Sequence, residues 1–331
     1  MRIAIVKLSA LGDIVHAMIV LQYIKKFNPK ISIDWIVEER FQDLLKFNPH
    51  INKLHLVSLK NAKKNNSILS LLKELNKLRH YDQYDLVIDM QGLLKSAIIS
   101  KLLPSKQIIG FDKYSTREKL ASNFYNKKLS CPYEKNVIER NLALIAFALG
   151  TNFQKKKLIN KTPFLFSTTK KLNTKLSESK KNILIIPGAS NDSKRYPTAK
   201  LAELTQLFDA AFFVIWGSEE EKILACEIKD IAPNVNICSK LNLNSLIFLI
   251  SKVDLVIGPD SGPTHISWAL NVPSITLFGP TPGYRNTIET SMNRVIESNS
   301  KVNPLKIDQN DYSIETISVQ EIVSTTRELL D

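Results

Sequence analysis

Short apolar runs alternate along the chain with stretches in which apolar residues recur at helical spacing. In the first half, "RIAIVKL", "ISIDWIV", "INKLHLVSL", "YDLVIDM" and "KQIIGF" read as strands. Between them, "GDIVHAMIVLQYIKKF" (starting near Asp13), "EERFQDLLKF", "ILSLLKELNKLRH", "LLKSAIISKLL" and "IERNLALIAFALG" read as helices, the last with a glycine stop. The alternation pauses over a lysine-, serine- and threonine-rich stretch in which "TPFLFS" reads as an extra strand. It then restarts. "NILIIPG", "AAFFVIWG", "NVNIC", "VDLVIG" and "PSITLFG" are strands; "PTAKLAELTQLFD", "SEEEKILACEIKD", "LNSLIFLISK" and "PTHISWALN" are helices. A final amphipathic helix, "SVQEIVSTTRELLD", carries Val319, Ile322, Val323 and Leu330 on one side.

Strands alternating with helices imply parallel βαβ units with right-handed crossovers. The expected class is therefore α/β, with two doubly wound domains facing a cleft. Residues 1–165 form the first domain, 166–181 a linker, and 182–331 the second domain, whose terminal helix is free to return to the first. A length of 331 residues agrees with two cores. Ligands of such sheets bind beyond the carboxyl ends of the strands, so the strand ends are where chemistry is sought.

Composition narrows the class further. No run of 18 apolar residues appears, so no membrane-spanning helix is expected. "MRIAIVKLSALGD" reads as a buried strand entering a loop rather than a signal peptide. Cys131, Cys226 and Cys238 are an odd, scattered set, which fits a reducing compartment and offers neither a disulfide framework nor a metal site. The five histidines show no metal-ligand spacing. Net charge is +13. That balance fits either a solvated lysine-rich surface or a polyanionic partner: nucleic acid, an anionic lipid surface or a phosphorylated substrate. No nucleic-acid-binding signature accompanies it.

Four strand ends carry candidate chemistry. "KLSALGDIVHA" follows the first strand and places helix-start N–H groups and Asp13 at the cleft. Neither a dinucleotide fingerprint nor a P-loop is present, and Asp13 fits a first-turn helix acid as well as a general base. "IIPGASNDSKRYP" offers Ser190 and Lys194 to a phosphate, or is a plain polar loop. "VIWGSEEEK" places Glu219 in a first helical turn, where acids are ordinary, but also where a ribose diol is held in such folds. "GPDSGPTHISWAL" breaks a strand, sets out Asp260, Ser261 and Gly262, and starts a helix with His265 in its first turn. The layout is that of an enzyme whose second domain holds a nucleotide-activated donor and whose first holds the acceptor.

Taken together, these stretches resemble the bacterial lipopolysaccharide heptosyltransferases, glycosyltransferases of the two-Rossmann GT-B fold. "VKLSALGDIVHA", "DMQGLLKSA", "STREKLASNFYN", "GPDSGPTHISWAL" and "LFGPTPGYR" carry the resemblance over nearly the whole chain. It implies inverting transfer of L-glycero-D-manno-heptose from ADP-L-glycero-β-D-manno-heptose to the first Kdo of Kdo2-lipid A. The lysine after the first strand and the histidine of "DIVHA" favour the member that adds the first heptose over the one that adds the second. Asp13 matches the catalytic base and Lys194 the lysine at the donor phosphates. Ser190 matches a hydroxyl donor, Glu219 the ribose carboxylate and Asp260 a residue holding the heptose hydroxyls. Ser261, Gly262 and His265 match the loop around the pyrophosphate. On the acceptor side stand Ser9, Gly12 and Arg117, with the basic loop Lys60, Lys63 and Lys64 as further anchors. The resemblance also implies no metal or other cofactor, no nucleic-acid partner, a monomer, and a peripheral place on the cytoplasmic face of the inner membrane. The competing readings are the enzyme adding the second heptose and a non-catalytic nucleotide-sugar-binding protein; the latter has no need of Asp13.

Overall fold

The computed structural model describes residues 1–58, 75–152 and 161–331. The chain divides into two units, Met1–Phe164 and Leu165–Asp331. Each is built on one six-stranded sheet.

In the first unit the strands are β1 (Arg2–Val6), β2 (Ser32–Glu38), β3 (Lys53–Val57), β4 (Tyr84–Asp89), β5 (Ser105–Phe111) and β6 (Lys127–Leu129). Their spatial order is β3-β2-β1-β4-β5-β6, parallel throughout, with Ile3 opposite Ile33 on one side and Leu86 on the other. The helices are α1 (Leu11–Met18), α2 (Val20–Phe27), α3 (Gln42–Leu45), α4 (Leu94–Leu102) and α5 (Val137–Leu149); residues 75–78 are also helical. In the second unit come β7 (Asn182–Ile185), β8 (Ala211–Val214), β9 (Asn236–Ile237), β10 (Leu255–Pro259), β11 (Ser274–Phe278) and β12 (Asn293–Glu297). They run β12-β11-β10-β7-β8-β9, again all parallel. Their helices are α6 (Thr198–Gln206), α7 (Glu219–Ile231), α8 (Leu243–Ile250), α9 (Gly262–Leu270), α10 (Gly283–Asn286) and α11 (Val319–Leu330).

The two orders are the same doubly wound topology. In each, the chain leaves the first strand toward one edge and returns to build the fourth on its other side. That makes a switch point between β1 and β4, and another between β7 and β10, where loops diverge and leave a crevice. The central strands are apolar on both faces: Ile3, Ala4, Ile5 and Val6 are fully buried, as are Ile183, Leu184 and Ile185. Caps set the helix ends. Asn136 accepts the amides of Ile138 and Glu139 at the start of α5, and Gly150 ends it with a φ of 63°. Ser218 and Glu221 form a capping box at α7. Helix α11 lays Val319, Ile322 and Val323 into the core of the second unit beside Leu201 and Ile257.

Several expected elements differ. "TPFLFS" forms no strand: Pro163 brings no amide hydrogen to a ladder, and Phe164 and Leu165 are buried without one. Strands β6 and β12 were not anticipated. They lie at sheet edges, so their charged residues, such as Lys127 and Arg294, are tolerated and the apolar run that marks inner strands is lacking. "EERFQDLLKF" is a 3-10 turn followed by the single helical turn α3, and the first long helix is divided at Ile19 into α1 and α2. Of the helix expected over 68–80, residues 68–74 lie outside the described residues.

At the amino ends of the first sheet, Asp34 is buried and its Oδ2 accepts from Arg2 (2.7 Å), Tyr84 (2.9 Å) and His55 (3.2 Å). Burial alone would push this carboxyl up; hydrogen bonds from His55, Arg2 and Tyr84 outweigh it and hold it below its ordinary value. A depressed folded-state value contributes stability that is in place above the unfolded value of about 4 and is lost as pH falls through the folded one. Asp34→Asn should therefore lower stability at neutral pH by about 1–3 kcal/mol, the scale of hydrogen bonds to a charged group. The gap to wild type should close in acid, as read by denaturant unfolding across pH.

Candidate active site

The carboxyl edge of the first sheet is organised by a buried acid. Asp89 ends β4, and its Oδ1 accepts the amides of Gln91 (2.8 Å) and Gly92 (3.1 Å). Its Oδ2 accepts the hydroxyls of Ser96 (2.8 Å) and Tyr125 (2.8 Å). Burial pushes the Asp89 carboxyl up, against these donors. The turn so fixed sends Gln91 across the switch point, where its Oε1 accepts from the amides of Leu8 (3.0 Å) and Ser9 (3.3 Å). Those residues follow β1 and lead into α1, so the "DMQG" segment holds the loop that presents Asp13.

Asp13 stands in the first turn of α1, half-exposed. Its Oδ2 accepts the Ala10 amide at 3.2 Å, and its Oδ1 lies 4.0 Å from the Lys7 ammonium. Lys7 is buried and donates to the carbonyl of Met90 at 3.3 Å. The acid thus performs its helix-end duty with one oxygen and keeps an accessible carboxylate, as a general base requires. Ser9 is not idle: its hydroxyl accepts from Lys95 at 3.2 Å, and Lys95 also donates to Glu38 at 3.1 Å. Gly12 sits beside Asp13 in the helix start. Arg117 is exposed on the loop after β5. Lys60, Lys63 and Lys64 lie outside the described residues.

In the second unit the loops after β7 and β10 meet at the switch point. Asp260 is buried there and is the centre of a cluster. Its Oδ2 takes Lys194 Nζ at 2.9 Å, the Thr281 hydroxyl at 2.8 Å and the Asn286 amide at 3.1 Å. Its Oδ1 takes His265 Nε2 at 2.9 Å. An ionised carboxylate only accepts, so this imidazole nitrogen carries the hydrogen. Burial would raise the Asp260 carboxyl, but the Lys194 ammonium and His265 hold it well below the usual carboxylate range. Ser261 and Gly262 form the start of α9, with Pro263 in the first turn, and the Ser261 hydroxyl lies 3.1 Å from that of Thr264. This helix start follows directly on Asp260, which binds the Lys194 ammonium, so its N–H groups and that cation both adjoin the same acid.

Ser190 and Glu219 are both exposed, on the loop after β7 and in the first turn of α7. The three acids opening α7 divide the work. Glu221 Oε2 accepts the amides of Gly217 (2.6 Å) and Ser218 (3.3 Å), and Glu220 pairs with Arg195. Glu219 is left at the carboxyl edge free of the capping duty. A side chain at Gly188 would collide with the Glu221 carboxylate, so the loop after β7 and the start of α7 touch through a glycine. Sequence reasoning gave no site role to Thr281 and Asn286, which sit within "GPTPGYRN", nor to Lys7, Gln91 and Lys95, although the stretches carrying the latter three entered the resemblance. The visible signal for Lys7 was a cation set inside an otherwise apolar strand end.

The buried ion pair makes a testable claim. Lys194→Met should cost about 3–5 kcal/mol, because it strands a buried carboxylate. In an Asp260→Asn background the same change should cost less, and a double-mutant cycle on denaturant unfolding measures the coupling. Since the Asp260 value is depressed, the pair's contribution is present above the unfolded carboxyl value and should fade as pH falls through the folded one.

Among the described residues no helix is long and apolar enough to cross a membrane, and no group of three His, Cys, Asp or Glu side chains is placed to hold a metal ion. Comparison with known proteins places this geometry. Residues 69–309 match the model of glycosyltransferase family 9 (heptosyltransferase). Lipopolysaccharide heptosyltransferase 1 of Campylobacter coli is 43% identical over 99% of both chains. Among solved structures, Escherichia coli heptosyltransferase WaaC with ADP superposes with a TM-score of 0.80 at 23% identity, covering 99% of this chain and 100% of that one. The same enzyme with ADP-2-deoxy-2-fluoro heptose gives 0.77 at 24% identity, covering 99% of each. The fold is thus that of the GT-B heptosyltransferases, with its two parallel-sheet α/β units. With the family model spanning most of its length, the chain belongs to glycosyltransferase family 9, the heptosyltransferases.

Proposed function

We propose that this enzyme is a lipopolysaccharide heptosyltransferase I. It moves L-glycero-D-manno-heptose from ADP-heptose to the first Kdo of Kdo2-lipid A, at the cytoplasmic face of the inner membrane. The observation that carries the reading is the division of labour between the two switch points, in a chain alike along its whole length to an enzyme of that name. One has an accessible carboxylate with the buried Lys7 ammonium 4.0 Å away; the other has a buried ammonium and a helix start suited to a pyrophosphate.

In this reading the Asp13 carboxylate takes the proton of the acceptor hydroxyl as its oxygen attacks the anomeric carbon. The bond from that carbon to the β-phosphate oxygen breaks, and ADP departs with the electron pair. Attack opposite the leaving group inverts the anomeric centre and needs no covalent enzyme intermediate. Lys194 and the amides opening α9 at Ser261 and Gly262 offset the charge on departing ADP. Ser190 adds a hydroxyl donor, and Glu219 accepts from the ribose diol. Asp260 holds the Lys194 and His265 side chains in place and presents its remaining accepting capacity to the heptose hydroxyls. Ser9 and Gly12 shape the acceptor side around Asp13, and Arg117 faces acidic groups of the acceptor. Because a lysine and a helix end meet the pyrophosphate, the reaction needs no metal.

Asp13→Asn should lower kcat on Kdo2-lipid A by a factor of ~10² or more, the loss expected of a missing general base. Its affinity for ADP-heptose, measured by calorimetry, should stay at the wild-type value, and EDTA should leave wild-type turnover unchanged. A wild-type enzyme that binds ADP-heptose but transfers only to an already heptosylated core would instead be the enzyme adding the second heptose. Glu219→Gln should weaken donor binding about tenfold, the scale of one hydrogen bond to a charged group, with little change in kcat at saturating donor.

A further inference from the structure

On the first unit, the loop after β5 and the start of α4 carry a group of exposed apolar side chains. Four are large: Tyr114 is 74% exposed, Leu120 65%, Ile98 37% and Leu94 36%. Leu94 and Ile98 are one turn apart on α4 and face the same way. The Glu118 carboxylate accepts the Leu94 amide at 2.6 Å, which fastens the loop bearing Tyr114 and Leu120 to the helix start. Leu120 lies in the first turn of a short 3-10 segment (Lys119–Phe124) that packs on α4. Lone apolar residues on a surface need no explanation, but four fastened together do.

The rim of this face is basic. Lys101, Lys113, Arg117 and Lys119 are all exposed, and no carboxylate pairs with them among the described residues. The two nearby acids are committed: Glu118 to the Leu94 amide, and Asp112 to the amide and hydroxyl of Ser115. The Lys113 ammonium lies 4.9 Å from the Tyr114 ring, an aromatic body and a charged tip presented together. Exposed Leu and Tyr ringed by uncommitted cations are complementary to the headgroup boundary of an anionic bilayer, where aromatic and aliphatic groups enter the interface and lysines meet the phosphates.

The place of the face gives it a use. It lies at the carboxyl edge of the first sheet, and Lys95, on the same helix as Leu94 and Ile98, donates to Ser9 in the loop that presents Asp13. We infer that the α4 face formed by Leu94, Ile98, Tyr114 and Leu120, with its rim of Lys101, Lys113 and Lys119, docks the enzyme on anionic lipid. The Asp13 loop is thereby held at the headgroup level. This deepens the acceptor side of the proposed function, since a lipid-borne acceptor is met where its sugars leave the bilayer. The docking itself depends only on the exposed groups.

The test is co-sedimentation of the full-length enzyme with phosphatidylcholine vesicles, with and without phosphatidylglycerol. Wild type should sediment only with the anionic vesicles. Tyr114→Ser with Leu120→Asn, both at exposed positions, should reduce the apparent partition coefficient at least about tenfold through lost apolar burial. Lys113→Ser with Lys119→Ser should reduce it by a similar factor, and added salt should mimic that loss. Lys53→Ser, at the amino end of β3 in the same sheet, should change nothing. Equal sedimentation of wild type and both double variants would overturn the proposal. So would a wild type that ignores vesicles but forms a dimer lost in Tyr114→Ser/Leu120→Asn, since the face would then serve a second copy. Transfer to a water-soluble, deacylated Kdo acceptor separates this inference from the function it extends. The Tyr114→Ser/Leu120→Asn variant should match wild type there and fall behind only on vesicle-borne acceptor. Failure of wild type on both acceptors would remove the proposed function while leaving the sedimentation result to decide the docking face.

Discussion

A buried carboxylate that has collected four hydrogen-bond donors lies at each switch point, and the functional loops hang from it. Asp89 in the first unit and Asp260 in the second come at the end of the fourth strand of the same doubly wound order. Each accepts hydrogen bonds on both oxygens. A buried carboxyl group is costly unless its oxygens are hydrogen-bonded, so once such an acid is in place the donors around it have little freedom. In the first unit the donors are backbone amides and hydroxyls, and the result is a rigid turn that braces the Asp13 loop. In the second they include Lys194 and His265, and the result is a preorganised cationic crevice. One topological position thus yields a scaffold in one unit and an electrostatic site in the other, according to what surrounds the acid.

This also explains how far the sequence could be read. The inner strands were legible because both their faces are buried, which leaves uninterrupted apolar runs such as "IAIV" and "ILII". The loops with Asp13, Lys194 and Asp260 were legible because breakers follow those runs directly. Edge strands were not, since half of β6 and β12 meets solvent and their charges look like loop. Nor was the service of Gln91 to Leu8 and Ser9, some eighty residues apart in sequence: nothing local in "DMQG" reports what its side chain will reach. Thr281 and Asn286 were hidden for the same reason, being ordinary polar residues until β11 brings them beside Asp260.

The opening of α7 shows how one local pattern conceals separate duties. Three consecutive glutamates satisfy the helix dipole equally well on paper. In the fold, Glu221 turns back to the Gly217 and Ser218 amides, Glu220 reaches Arg195, and Glu219 remains outward. Propensity accounts for the presence of acids there, and only the hydrogen bonds tell which of them is spare.

The close approach at Gly188 ties the history of two distant segments together. Because the Glu221 side chain occupies the space a Cβ would need, any side chain at 188 has to displace it, and with it the cap on the Gly217 and Ser218 amides. Drift at 188 is therefore paid in the strength of the α7 cap, and costs least where residue 221 is shorter. Exchange of the loop after β7 between family members would go most smoothly together with the first turn of α7.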